Sequence, residues 1–72
     1  MRVQLSNPAC LEVLVDDLVA SGCIPRPVGD AAVDVIHPEA SDAEEARREL
    51  TYFLRAWQAA HPDVELTLAA AA

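Results

Sequence analysis

Four side chains in this 72-residue sequence could bind a soft metal ion or take part in nucleophilic chemistry: Cys10, Cys23, His37 and His61. Thiolate and imidazole groups are the usual zinc ligands, and a Cys–His pair can form a catalytic nucleophile. The chain has no C-x-x-C or H-x-x-H spacing, no phosphate loop and no Ser-His-Asp pattern. We therefore predict a protein that is not an enzyme and needs no cofactor.

The elements that carry these side chains keep the two cysteines apart. A helix predicted over residues 8–21 is about 20 Å long at 1.5 Å per residue. A disulfide needs Cα atoms within about 7 Å, so a bond between Cys10 and Cys23 is excluded. Cys23 and His37 are expected to share one end of a sheet and are weak candidates for metal ligands. The simpler interpretation of each cysteine is a small, buried, apolar side chain.

Negative charge dominates the composition, with 12 Asp and Glu residues against five arginines and a net charge of -7. Because binding to phosphate backbones requires clustered positive charge, we exclude nucleic acid as a partner. A site for a hard cation such as calcium or magnesium at Asp16, Asp17 or Asp34 is a minor alternative.

Length and hydropathy indicate the domain organisation of the protein and its location in the cell. The chain is short enough for one domain, which we place at residues 1–68, and the Ala69–Ala72 run is expected to be a disordered tail. No stretch approaches the roughly 20 apolar residues of a membrane span, and the first residues do not form a secretory leader. We therefore expect a cytoplasmic protein with no membrane contact.

Hydrophobic periodicity predicts the elements. A period of two indicates strands at residues 1–5, 32–36 and 64–68, and a period of 3.6 indicates helices at 8–21 and 42–60. Asn7 and Ser41 are the expected N-caps, and Gly22 ends the first helix. Residues 23–28 contain Pro25 and Pro27, which are compatible only with an edge strand. The alternative is a loop over residues 23–30, which would leave a three-stranded sheet.

The order strand-helix-strand-strand-helix-strand predicts an α+β fold. Right-handed crossovers would place both helices on one face of the sheet. The expected architecture is a two-layer ferredoxin-like βαββαβ sandwich with antiparallel sheet order 4-1-3-2. In this arrangement the first and third strands are central, and the second and fourth are edges.

This layout resembles the small ferredoxin-like regulatory domains of the ACT type, over the whole chain but in topology alone. The segment 52–62 (YFLRAWQAAHP) also resembles a segment of short uncharacterised actinobacterial proteins. The first resemblance implies a fold, and neither implies an activity.

Surfaces for interaction have more support than a catalytic site. The predicted fourth strand contains neither proline nor lysine, and such an edge accepts another strand. Trp57 could overhang the sheet, although a place at the end of the core is the simpler interpretation. Ile36 forms an apolar corner of the outer sheet face. The candidate interface residues are Trp57, Val64, Glu65, Leu66, Thr67 and Ile36.

We therefore expect a small, non-catalytic interaction or regulatory module that acts as a homodimer and could also bind another protein. The alternative is a sensor domain that binds a small molecule or a metal ion at one end of the sheet.

Overall fold

The computed structural model describes residues 1–69 of the chain. Its strands are β1 (Arg2–Leu5), β2 (Ile24–Val28), β3 (Ala32–Ile36) and β4 (Leu66–Ala69), and its helices are α1 (Leu11–Ala20) and α2 (Ala43–Ala60). A short 3-10 turn at Pro8–Cys10 leads into α1. Asn7 caps this turn, because its side-chain oxygen accepts a hydrogen bond of 3.0 Å from the backbone N–H of Ala9.

The four strands form one antiparallel sheet in the order β2-β3-β1-β4. Counted from the β4 side, this order is β4-β1-β3-β2, so β1 and β3 are central. The predicted α+β fold with a four-stranded antiparallel sheet and two helices is confirmed. Residues 24–28 form a strand despite their two prolines, so the alternative of a loop and three strands is wrong.

One hydrophobic core joins both helices to one face of the sheet, as expected for two layers. Every second residue of the central strands points into this core, so the sheet is apolar on one side. The buried residues are Val3, Leu5, Leu14, Leu18, Cys23, Val33, Val35, Leu50, Leu54, Trp57 and Val64. The outer face carries exposed or half-buried side chains, among them Gln4 and Ile36.

The end of α1 follows the predicted pattern. Gly22 has a φ of 93°, in the left-handed region that favours glycine. The backbone N–H of Cys23 then donates to the carbonyl of Leu18 at 3.0 Å. This turn directs Cys23 back into the core and starts β2 immediately.

The start of α2 differs from the prediction by one residue. Asp42, and not Ser41, is the N-cap, and its Oδ1 accepts a hydrogen bond of 2.8 Å from the N–H of Glu45. The hydroxyl and N–H of Ser41 both donate to the carboxylate of Glu45. These bonds lower the pKa of Glu45. The side chains of Ser41 and Asp42 both form hydrogen bonds at this helix end, so the sequence alone does not decide which of the two is the N-cap.

The last strand begins and ends later than predicted. Val64 and Glu65 precede β4, and Ala69 belongs to it, opposite Arg2 of β1. The prediction that the tail begins at Ala69 is therefore wrong for this residue, because it pairs with β1. The remainder of the predicted tail, residues 70–72, lies outside the described residues.

Candidate functional site

The hydrogen-bond ladder shows which backbone groups face each edge of the sheet. The N–H of Leu5 donates to Ala31 at 2.8 Å, and the N–H of Val35 donates to Met1 at 2.7 Å. Odd-numbered residues of β1 therefore bond to the β3 side. On the other side, the N–H of Ser6 donates to Glu65 at 2.9 Å. Because bonded and non-bonded pairs alternate in an antiparallel ladder, even-numbered residues of β1 bond to β4.

This alternation places both prolines of β2 on its outer edge. Val33 and Val35 of β3 bond toward β1, so the even-numbered residues of β3 bond toward β2. Their partners are Ile24, Arg26 and Val28. Pro25 and Pro27 lie between these positions, where an N–H would point to solvent. The prolines cost no ladder hydrogen bond, and they remove two donors from this edge.

The outer edge of β4 keeps its donors. Thr67 and Ala69 lie opposite Gln4 and Arg2 and bond to β1, so the backbone groups of Leu66 and Leu68 point away from the sheet. A row of N–H and C=O groups on an edge is a template for another strand. The sheet therefore has one edge without donors, at β2, and one edge that can pair, at β4.

Gln58 of α2 is bonded to the first outward group of this edge. Its Oε1 accepts a hydrogen bond of 3.0 Å from the N–H of Leu66. Its Nε2 donates to the carbonyl of His61 at 3.1 Å and to the carbonyl of Val64. A single side chain thus holds the connection between α2 and β4 and satisfies one edge donor. Gln58 is not among the residues predicted from the sequence, because a glutamine near a helix end belongs to no motif or periodic pattern.

A groove of about 280 Å³ lies beside this edge, between α2 and β4. Its walls are mostly apolar, and the half-buried side chains of Leu66 and Leu68 form one of them. The lining residues are Thr51, Leu54, Arg55, Gln58, Leu66 and Leu68. Side chains of a strand added to β4 on the helix side would enter this groove.

The candidate interface residues divide into two groups. Leu66 is half-buried beside the groove, whereas Glu65, Thr67 and Ile36 are exposed. Val64 is only 2% exposed and belongs to the core, so its side chain is not available for contact with a partner in the single chain. It turns inward because it lies in the connection before β4.

Trp57 is also a core residue, since it is 5% exposed. Its Nε1–H donates a hydrogen bond of 2.8 Å to Oδ2 of Asp17 on α1. The ring of His61 stacks on the indole at 3.9 Å between centroids, with planes 17° apart. The simpler interpretation, in which Trp57 lies at the end of the core, is confirmed, and the alternative in which it overhangs the sheet as an interface residue is wrong, because α1 and His61 cover it.

The two weak metal candidates lie at the same end of the sheet but have other partners. Cys23 is buried, and the hydroxyl of Ser21 lies 3.6 Å from its sulfur. Nε2 of His37 lies 2.5 Å from Oε2 of Glu49, while its Nδ1 is buried without a hydrogen-bond partner within residues 1–69. Across the part of the chain that the structure describes, no three His, Cys, Asp or Glu side chains are grouped to hold a metal ion.

Two of the three acidic residues considered for a hard cation, Asp17 and Asp34, are engaged elsewhere, and Asp16 is exposed. Asp17 accepts from Trp57, and Asp34 on the outer sheet face accepts two hydrogen bonds from Arg2, at 2.8 and 3.2 Å. These bonds from the Arg2 guanidinium lower the pKa of Asp34.

Comparison of this chain with protein-family models, with curated proteins and with solved structures gives no match in any of the three. Among residues 1–69, neither helix combines the length and the apolar character that crossing a membrane would require.

Proposed function

We propose that this protein is a small ferredoxin-like interaction module, without catalytic activity, that forms a homodimer by pairing β4 with β4 of a second copy. The observation that carries the proposal is the difference between the two sheet edges. The β2 edge lacks the N–H groups of Pro25 and Pro27, and the β4 edge presents outward backbone groups at Leu66 and Leu68. The strand order and the two helices packed on one core support the ferredoxin-like assignment.

The difference between the β2 and β4 edges favours a closed dimer over an open filament. If β4 of one chain paired with β2 of the next, the sheet would continue without end, as in a filament. The prolines of β2 oppose that arrangement, because the neighbouring strand would meet two ring nitrogens without hydrogen. Pairing of β4 with β4 places the same surface on both sides of a twofold axis and leaves only proline edges outside.

Apolar surface that stays exposed in the single chain is a second reason to expect association. A 72-residue chain buries only roughly 60% of its unfolded surface, and its hydrophobic core is correspondingly small. The groove beside β4 keeps Leu66 and Leu68 half-exposed in the single chain. A second copy would cover both leucines and bond to the free outward backbone groups, which are the carbonyl of Leu66 and the N–H and carbonyl of Leu68, since the N–H of Leu66 is already bonded to Gln58.

Sedimentation equilibrium at micromolar concentration tests the proposal. We expect twice the chain mass of 7.7 kDa for the wild type. Leu68→Pro removes an outward donor but no bond to β1, so it should be a folded monomer. Thr67→Val changes the neighbouring residue on the opposite face of the strand and should remain a dimer. A wild-type protein that sediments as a monomer would overturn the homodimer.

Charge gives an independent check on the same association. Each copy carries a net charge of -7, so two copies repel each other at long range. Salt screens this repulsion, with a Debye length of about 10 Å at 0.1 M. The dimer should therefore tighten as sodium chloride is raised, whereas an interface made of intermolecular ion pairs would weaken.

A second candidate function is favoured by one observation at the opposite end of the sheet from the Gln58 contact. The half-buried His37, whose Nδ1 has no hydrogen-bond partner among residues 1–69, lines a cavity of about 320 Å³ together with Asp42 and Met1. A small molecule or a metal ion bound there would make the protein a sensor. Melting temperatures with zinc and with EDTA, compared between wild type and His37→Asn, test this function. Unchanged melting of the wild type in both additions would exclude the metal version.

A further inference from the structure

Three of the five arginines of the chain lie on the exposed side of α2. Among residues 1–69, no Asp or Glu oxygen lies within 4.0 Å of the guanidinium groups of Arg47, Arg48 and Arg55, which we call the arginine cluster. The three side chains line one hollow of about 350 Å³ together with Glu44, Thr51 and Tyr52. In a chain with a net charge of -7, this hollow is a local concentration of positive charge.

The helical repeat explains why these side chains meet at one hollow. Residues three, four and seven positions apart share a face of a helix. Arg48, Tyr52 and Arg55 have this spacing, and Arg47 lies beside them. Arg48 and Arg55 are about 10 Å apart along the helix axis at 1.5 Å per residue. Because arginine side chains are long and flexible, guanidinium groups from consecutive turns can contact one ligand.

Few carboxylates are placed to neutralise the arginine cluster. Glu45 is three residues before Arg48, a spacing that favours an ion pair on a helix. In the structure, however, the carboxylate of Glu45 accepts hydrogen bonds from Ser41. Arg55 has no acidic residue three or four positions away in either direction. Glu44 is the acidic residue that lines the hollow, so three guanidinium groups share one nearby carboxylate.

We infer that the arginine cluster binds a phosphate monoester of a small organic molecule. Such a group has three acceptor oxygens and close to two negative charges at neutral pH, and guanidinium groups bind these oxygens through paired N–H donors. A carboxylate has only two oxygens and one charge, so it would leave a guanidinium group unused. The volume of the hollow is at the low end of the range for small-ligand sites, about 300–1,000 Å³. The ring of Tyr52 is 65% exposed and gives the organic part an apolar surface.

The charge of the rest of the chain limits the size of the ligand. Exposed charges separated by more than about 10 Å are largely screened at 0.1 M salt, so a small anion is attracted mainly by the arginines. A polynucleotide would extend past the hollow and meet the acidic remainder of the surface. The inference goes beyond the proposed dimer and does not depend on it, because Arg47, Arg48 and Tyr52 line this hollow and not the groove beside β4.

Titration of isotope-labelled protein with phenyl phosphate, followed by NMR, tests the inference. At about pH 7.5, above the second phosphate pKa of about 6, we expect saturable shifts of the backbone amides of residues 47–55. Arg47→Gln should raise the dissociation constant about fivefold, the upper range for an exposed ion pair. Arg26→Gln removes an equal charge from the outer sheet face and should raise it less than about twofold. Both arginines are exposed, so both variants should fold.

A substitution of the opposite charge gives a test of opposite sign. Glu44→Gln removes the carboxylate that lines the hollow and should lower the dissociation constant by about twofold or more. Glu12→Gln, in the first turn of α1 as Glu44 is in that of α2, is the matched control and should leave it unchanged.

Two further probes separate the parts of the ligand. Benzoate keeps the ring of phenyl phosphate but carries a carboxylate, and inorganic phosphate lacks the ring, so both should bind several times more weakly. The inference is overturned by the absence of saturable shifts in α2, by equal effects of Arg47→Gln and Arg26→Gln, or by either probe binding as tightly as phenyl phosphate. Sedimentation of the unliganded protein reports on the proposed dimer separately, so the two failures are distinguishable.

Discussion

Trp57 donates the N–H of its indole to Oδ2 of Asp17 at 2.8 Å, and this bond connects the two helices across 40 residues of sequence. Both helices lie on one face of the sheet, so the bond closes the outer side of the core near the end of α2. Its acceptor is a carboxylate, and hydrogen bonds to charged groups are stronger than neutral ones.

The first prediction concerns this bond. Asp17→Ala should lower the free energy of unfolding by about 1–2 kcal/mol, because it leaves a buried indole N–H without an acceptor. Asp16→Ala is the matched control: it is the preceding residue of α1, is exposed, and should change stability by less than about 0.5 kcal/mol. Urea unfolding followed by the fluorescence of the sole tryptophan measures both. Equal losses of unfolding free energy in the two variants would mean that the hydrogen bond between Trp57 and Asp17 contributes nothing to stability.

The second prediction concerns the prolines of β2. The double substitution Pro25→Ala and Pro27→Ala restores two outward N–H groups, so both edges of the sheet can then pair. We expect species larger than the dimer in sedimentation velocity, because β2 of one dimer can now accept a strand of another chain. Pro62→Ala, in the turn before β4, adds an N–H away from any sheet edge and should not change the assembly. A double variant that sediments like the wild type would contradict the blocking role of the prolines.

The third prediction concerns the loss of stability at acid pH. Hydrogen bonds from Arg2 lower the pKa of Asp34 in the folded protein below its unfolded value of about 3.9. The contribution of the Arg2–Asp34 pair to the free energy of unfolding is therefore complete above about pH 4. It is lost as the pH falls through the pKa of Asp34 in the folded protein. Arg2→Gln should be less stable than the wild type near neutral pH, and the difference should disappear in acid.

Arg26→Gln is the control for the acid experiment. Arg26 lies opposite Asp34 on the other neighbouring strand and makes the smallest of the charge contributions to the lowered pKa of Asp34. Arg26→Gln should therefore differ from the wild type in stability by an amount that depends much less on pH than the difference for Arg2→Gln. Urea midpoints from about pH 2 to pH 7 decide the matter. A difference between Arg2→Gln and wild type that is the same at every pH would disprove the linkage.

The fourth prediction concerns the core. Leu18 is fully buried on α1, so Leu18→Ala should cost about 2–5 kcal/mol through lost burial and a residual cavity. This is a large part of the roughly 5 kcal/mol expected for so small a domain. Val19→Ala, at the next residue and 58% exposed, should cost less than about 1 kcal/mol. Both are measured at one protein concentration, because dimerisation adds to the apparent stability.

Much of the fold follows from local patterns. The alternation of Met1, Val3 and Leu5 predicts a strand with one buried face, and Gly22 predicts the end of a helix. Pro25 and Pro27 are two residues apart, so one edge strand can place both ring nitrogens outward. These properties depend on neighbours along the chain, and for this reason the four-stranded antiparallel sheet could be predicted.

The site was predicted less well. The importance of the last strand was identified from its composition, but its limits were wrong by two residues at the start and by one at the end. Trp57 and Val64 are named as candidate interface residues, although a core position is the simpler interpretation for Trp57, and both side chains are buried in the single chain. The reason is that burial depends on what covers a residue, and the covering groups, α1 and His61, come from other parts of the fold.

By itself the sequence determined the periodicities, the proline-blocked edge and the strong negative charge, because each is a property of residue types and of their spacing. Only the tertiary structure decided that Asp17 accepts from Trp57, that His37 meets Glu49, and that the side chain of Gln58 bonds to an edge strand. Each of these contacts joins groups whose distance is set by the packing of helices on the sheet, and a side chain that bonds outside its own element has no periodicity to reveal it.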